Sequence, residues 1–189
     1  KVAHSRIAPM LEAVCAKVSG QPCTAYMGNG AAGHYVKMVH NGIEYSIMQL
    51  LSESYHLMKG FAKMSNEEIQ KLFAEWNRGR LHSFLMEVTA AVFLQPDDAG
   101  NGLLIDRILD TAGQKGTGAW TSQDAANVVS AIPSIDAAVS QRIISSFKKE
   151  RVQYAQQVIN EATQPIGDKQ LFLKQLEQAL YSSYILSYA

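Results

Sequence analysis

Lys37, His40, Asn41 and Glu44 fall at i, i+3, i+4 and i+7 of an otherwise apolar stretch, so on a helix all four project from one face. An amine and a carboxyl about two turns apart can divide acid-base work at opposite ends of a small substrate. Partial burial lowers the pKa of a lysine towards neutrality, where it serves as a base, and raises that of a carboxyl, which then serves as an acid. The same spacing also describes a solvated face with a Lys/Glu pair and an incidental histidine, and spacing alone leaves both open. Gly42 costs the helix about 1 kcal/mol relative to alanine, which suits a place where a ligand approaches the backbone beside Asn41.

A second candidate lies at residues 113–118, GQKGTG. Glycines there let backbone amides approach an anion, with Lys115 as a point charge and Thr117 as a hydroxyl donor, which suits a phosphate or a carboxylate. The spacing is not that of a Walker loop. Arg142, on a later helix, reads by itself as a surface charge. Trp76, Trp120, Met10, Met38, Met48, Met58 and Met86 read as packing residues. His34, His56 and His82 have no metal-ligand spacing, nor do Cys15 and Cys23, so no metal is expected. Two thiols without such spacing point to a reducing, cytoplasmic setting.

These residues need elements to hold them, and the apolar spacing is mostly helical. The 17 basic and 17 acidic residues cancel, so there is no bulk positive field for nucleic acid. The longest uncharged stretch, residues 18–36, is broken by Gly20, Pro22, Gly28, Gly30 and Gly33, and no membrane span is expected. The pattern predicts helices over residues 5–19 and 31–63, then one capped by the Ser65 to Glu68 box that ends near residue 77. Further helices are predicted over 80–94 and 103–112, from a Ser122 cap to 130, over 135–160, and from an Asp168 cap to the end. Residues 96–102 read as a loop, and 23–27 as the only strand. A helix and a lone strand before the long helix look like the end of an α/β domain, giving residues 1–30 as its remnant and 31–189 as a helical domain. The stretches 84–94 and 180–189 carry enough apolar surface to predict a homodimer.

Four stretches are familiar as motifs: GHYVKMVHNGIEY at 33–45 followed by Met48-Gln49-Leu50, WNRGRL at 76–81, AGQKGTGAWT at 112–121, and LYSSYILSYA at 180–189. In this order, over essentially the whole chain, the sequence resembles the 6-phosphogluconate dehydrogenase family. The resemblance implies the C-terminal helical domain of that fold, preceded by the last helix and strand of a Rossmann-type domain. It implies oxidation and decarboxylation of 6-phosphogluconate to ribulose 5-phosphate, with NADP held mainly by a coenzyme domain outside these residues.

Residue by residue, the resemblance makes Lys37 the general base on the C3 hydroxyl and Glu44 the acid that protonates C1 of the enediol. His40 and Asn41 would hold substrate oxygens, while Tyr45, Lys115, Thr117 and Arg142 would grip the phosphate. A partner subunit would add Arg and His from a tail beyond these residues. Ser46, Ala119 and Tyr184 stand where many members have Gly, Lys and Lys. The alternatives are a related β-hydroxyacid dehydrogenase that does not decarboxylate, against which Glu44 and the GQKGTG loop speak, and an inactive helical dimerisation module.

Overall fold

The computed structural model describes residues 1–100, 102–158 and 166–189, whose regular structure is helical apart from one small hairpin. Helix α1 (Val2–Val14) ends where Cys15 turns extended, earlier than the predicted residue 19. Strands β1 (Lys17–Val18) and β2 (Gln21–Pro22) follow, with Lys17 opposite Pro22 and Val18 opposite Gln21. Ser19 and Gly20 between them have φ of 51° and 78°, the paired positive values that suit a two-residue hairpin turn. The strand predicted over 23–27 is not formed. A strand exists only with a paired edge, and the two hairpin arms pair with each other.

Helix α2 (Ala32–His56) is the axis of the molecule. Its buried positions are Gly42, Ser46, Ile47, Leu51 and Ser54, and it touches α4, α5, α6 and α8, described below. Beyond His56 it widens into one π-helical turn, Leu57–Phe61, which buries Met58 completely.

Helices α3 (Asn66–Trp76) and α4 (Phe84–Val92) make a hairpin over the far half of α2. The Ser65 capping box is complete, with the Ser65 hydroxyl accepting from the Glu68 amide at 3.2 Å and the Glu68 carboxylate from the Ser65 amide at 2.7 Å. The second helix starts at Phe84 rather than residue 80, because Ser83 caps the Met86 amide and Asn77 takes the Ser83 amide, holding the intervening residues as a turn. Phe73 sits between Trp76 and Phe93 at ring separations of 5.7 and 5.8 Å. With Ile47, Leu51, Ile69, Leu81, Met86 and Leu180 it forms the core. Complete burial of a side chain such as Phe73 or Ile69 contributes about 1.5–3 kcal/mol each.

The near half of α2 is flanked by α5 (Thr117–Asn127) and α6 (Pro133–Ser146). Helix α5 starts directly after Gly116, whose φ of 100° turns the chain, so Ser122 lies inside the helix instead of capping it. Its hydroxyl donates to Asp136 at 2.6 Å. The single helix predicted over 135–160 is two: α6 stops at Phe147, where φ −87° and ψ 48° leave the helical region, and α7 (Lys148–Ala155) follows. The Ser145 and Ser146 hydroxyls bond back to the Arg142 and Ile143 carbonyls at 2.7 Å each, competing with the helical ladder. Residues 159 and 160 lie outside the described residues, as does Asn101 of the predicted 96–102 loop. Helix α8 (Lys169–Tyr188) starts on its Asp168 cap, as predicted.

Only a 3₁₀ turn, Leu104–Asp106, occupies the segment predicted as a helix over 103–112. Long-range anchors hold that segment irregular: Asn66 donates to both Asp106 carboxylate oxygens at 2.9 Å, and Asp110 pairs with Lys148 and Arg151. Trp76 and Met58 are buried as expected, whereas Trp120 is 54% exposed and Met10 is 69% exposed, Met10 because no residue of α1 is buried. Among the described residues no three His, Cys, Asp or Glu cluster as a metal site, both cysteines are unbridged, and no helix is long and apolar enough to cross a membrane.

Candidate active site

The turn of α2 that carries Asn41, Glu44 and Tyr45 faces the 113–117 segment across a cleft of about 620 Å³, lined from the loop side by Gly113, Gln114, Lys115 and Thr117. Two candidates found 70 positions apart in the sequence are therefore one site. They are joined at the cleft floor, where the Asn41 amide donates to the Thr117 hydroxyl at 3.3 Å. On its other side Asn41 accepts from the Lys37 amine at 2.5 Å, so Lys37, Asn41 and Thr117 form a hydrogen-bonded row. His40 Nδ1 lies 3.6 Å from the Glu44 carboxylate. Lys37 and His40 stand on the exposed outer turn, so the burial expected around Lys37 is not supplied by the described residues.

Arg142 is no isolated surface charge. Its guanidinium carbon lies over the Tyr45 ring, 3.7 Å from the centroid, and its Nη1 donates to the Gly113 carbonyl at 2.5 Å. It sits behind Tyr45 and lines the neighbouring depression with Gln49 and Asp110 rather than the cleft itself. Tyr45 thus forms a wall between the cleft and the arginine.

Gly42 has a different role from the one its position suggested. It is buried, and a Cβ there would come within 3.2 Å of both Ile135 and Thr121, so it lets α2 cross α5 and α6 closely rather than admitting a ligand. Thr121 was not singled out in the sequence. It is 4% exposed, and its hydroxyl lies 3.0 Å from the Met38 carbonyl and 2.9 Å from that of Thr117, which fixes the register of α5 on α2. One turn nearer the start of α2, the Tyr35 hydroxyl donates to Asp124 at 2.5 Å. That hydrogen bond, with desolvation and the Asp124 charge, pushes the Tyr35 phenol above its ordinary pKa. Ser46 meets Ser187 at 2.8 Å in a buried contact that ties α2 to α8.

Residues 28–33 read GNGAAG and open a helix, but a pyrophosphate site needs that turn at the end of a strand in a parallel sheet. Among the described residues the only regular strands are the antiparallel hairpin.

Fold and cleft define a helical domain in which Asn41, Glu44 and Tyr45 of one helix face Lys115 and Thr117 across a single cleft. The family described as 6-phosphogluconate dehydrogenase, C-terminal domain, matches residues 33–189. The chain belongs to the 6-phosphogluconate dehydrogenase family. It is 48% identical over its full length to a 6-phosphogluconate dehydrogenase, decarboxylating, of Lactococcus lactis, and spans 40% of that protein. It is 47% identical to a Bacillus subtilis relative named as NADP(+)-dependent and decarboxylating, again with 100% of this chain on 40% of the relative. A solved 6-phosphogluconate dehydrogenase of Plasmodium falciparum, described in apo form and with NADP+ and 6-phosphogluconate, superposes with a TM-score of 0.92 at 43% identity. That match covers 100% of this chain and 41% of the other.

Proposed function

We propose that this chain supplies the substrate site of an enzyme that converts 6-phosphogluconate to ribulose 5-phosphate and carbon dioxide in the cytoplasm, with NADP as oxidant. The observation that carries the reading is the cleft itself, which sets Glu44 and Asn41 on one wall and Lys115 and Thr117 on the other. A substrate with an oxidisable polyol at one end and a phosphate at the other matches that division. The relatives' names support the reaction and the coenzyme. The coenzyme site is not formed by the described residues, and its binding is assigned to the part of the protein that precedes a helical domain of residues 31–189.

In this reading Lys37 takes the C3 hydroxyl proton as the alcohol is oxidised. A neutral amine keeps its bond to Asn41 through one N–H and offers its lone pair to the substrate. The resulting ketone stands β to the C1 carboxylate, and the protonated Lys37 beside its oxygen favours loss of carbon dioxide to an enediol. Glu44 then protonates C1 of the product. His40 and Asn41 hold hydroxyl oxygens, while Lys115 and Thr117 bind the phosphate and Tyr45, braced by Arg142, closes that end.

The full-length protein is expected to form NADPH, carbon dioxide and ribulose 5-phosphate in equal amounts from 6-phosphogluconate, and the 189-residue chain alone to form no NADPH. Oxidation without carbon dioxide release would make it a non-decarboxylating β-hydroxyacid dehydrogenase. No turnover by the full-length protein would leave an inactive helical module.

We also propose a homodimer. Phe84 and Leu94 are 72% and 61% exposed beside α4, and Leu186 and Tyr188 are 70% and 65% exposed on α8, more apolar surface than solvent-facing helices ordinarily carry. Light scattering is expected to report twice the chain mass; a strictly monomeric species at high concentration overturns this.

A further inference from the structure

The segment that delivers Lys115 to the cleft has no regular structure after the Leu104–Asp106 turn, and it contains Gly113 and Gly116. Left to itself, such a chain loses much conformational freedom each time it closes on a ligand. It is instead fastened at three of the residues just before Gln114. Asp110 accepts from Arg151 through its carboxylate at 2.8 Å and its carbonyl at 3.0 Å, and its second carboxylate oxygen accepts from Lys148. The Ala112 amide donates to the Ser145 hydroxyl at 2.9 Å, and the Gly113 carbonyl accepts from Arg142. The far ends of these contacts are themselves tied together. Arg151 donates to the Ser145 carbonyl at 3.0 Å, and the Ser145 hydroxyl donates to the Arg142 carbonyl at 2.7 Å.

From this geometry we infer that Asp110, Ser145 and Arg151 are positioning residues, which strap the anion-binding loop to the corner between α6 and α7 and hold Lys115 and Thr117 ready for the substrate phosphate. The inference rests on the reading that this loop binds the phosphate. None of the three residues lines the Lys115 cleft, so the strap acts through the loop rather than on the ligand. Exposed ion pairs contribute little to global stability, and Asp110 and Lys148 keep 54% and 43% of their side-chain surface. What the cluster does supply is order. Arg151 holds both a side chain and two carbonyls, a fork that a lysine does not reproduce. The Arg151 and Lys148 contacts also keep the Asp110 carboxyl far below the usual carboxylate range, so the strap stays charged at any physiological pH.

The test uses the full-length protein with Asp110→Asn, Ser145→Ala and Arg151→Lys, and Lys115→Met as a reference. Each strap variant is expected to raise KM for 6-phosphogluconate, and the inhibition constant of inorganic phosphate with it, by about tenfold, the scale of one weakened charge-assisted contact. The kcat should stay within about twofold, because no reacting group moves. Amide hydrogen exchange should quicken across residues 110–118 and stay unchanged in α3 and α4. Normal KM in the strap variants while Lys115→Met raises it overturns the strap alone. Normal KM in Lys115→Met, or no turnover by the parent, overturns the phosphate reading, and the exchange measurement then decides by itself whether the strap orders the loop. Unchanged exchange in Asp110→Asn and Ser145→Ala overturns the inference under either outcome.

Discussion

Lys37→Met in the full-length protein is expected to slow hydride transfer by about 10²–10⁴, the contribution of a positioned general base, and every later step falls with it. Methionine keeps the length and packing of the side chain but has no proton acceptor for the C3 hydroxyl. Asn41 keeps its bond to Thr117, so the cleft floor survives the change. Glu44→Gln separates the two halves of the reaction. Glutamine preserves the shape of the cleft wall but has no proton to release, so oxidation proceeds while protonation at C1 is impaired by a similar factor. Neither variant should alter substrate affinity much, since Lys115, Thr117 and the Tyr45–Arg142 stack are untouched. Single-turnover NADPH formation, followed together with solvent hydrogen incorporation at C1 of ribulose 5-phosphate, distinguishes the roles. Near-normal hydride transfer in Lys37→Met, or C1 protonation at wild-type rate and stereochemistry in Glu44→Gln, would show the assignments to be wrong.

What the sequence made legible was whatever is decided within one or two helical turns. The Ser65 box and the Asp168 cap are local hydrogen bonds between residues three apart, and both helices start where their caps place them. The Lys37 to Glu44 stripe is likewise fixed by helical period, and it lies on one face of α2 as predicted. What failed depended on partners elsewhere in the chain. Residues 23–27 have the composition of a strand but no edge to pair with, and the two residues that do support sheet geometry, Ser19 and Gly20, are in the turn before them. Residues 103–112 have helical spacing, yet Asn66, Lys148 and Arg151, 38 to 41 positions away, hold Asp106 and Asp110 outward.

The site divides the same way. Lys115 and Thr117 were visible as a loop that could hold an anion, but their meeting with Asn41 depends on the α2–α5 crossing that Gly42 and Thr121 permit. A missing side chain in an apolar helix marks close approach of something; the sequence does not say whether that is a ligand or another helix. Here it is a helix. Arg142 was linked to the site only through family resemblance, since nothing in its own neighbourhood distinguishes it from a solvated arginine. Its stacking on Tyr45, 97 positions earlier, is what gives it a task.

Gly118→Ala should damage that end of the site more than any other single methyl group. Helical preference alone favours alanine by about 1 kcal/mol. A Cβ at Gly118 would, however, lie 2.7 and 2.8 Å from two carbons of the Tyr45 ring and 3.1 Å from Val139, well inside the ~3.5–4.0 Å of ordinary carbon contact. The Arg142 guanidinium carbon also sits over that ring, 3.7 Å from its centroid, which restricts how far the ring can move. Overpacking of this kind costs about 1–3 kcal/mol, which exceeds the helical gain and gives a net loss of up to about 2 kcal/mol. For a chain of this size that lowers Tm by up to about 4–8 °C. Displacing the ring also pushes Arg142 off the Gly113 carbonyl, so KM for the phosphorylated substrate should rise while Lys37 and Glu44 keep their geometry. Gly42→Ala is the milder comparison, since its nearest contacts are at 3.2 Å. Tyr45→Ala in the Gly118→Ala background removes the clash, so stability should recover relative to the sum of the two single changes. Thermal melts of the 189-residue chain and KM of the full-length protein, for the wild type and each of these variants, provide the check, and a Gly118→Ala variant with wild-type Tm and KM would show that Tyr45 has room the structure does not give it.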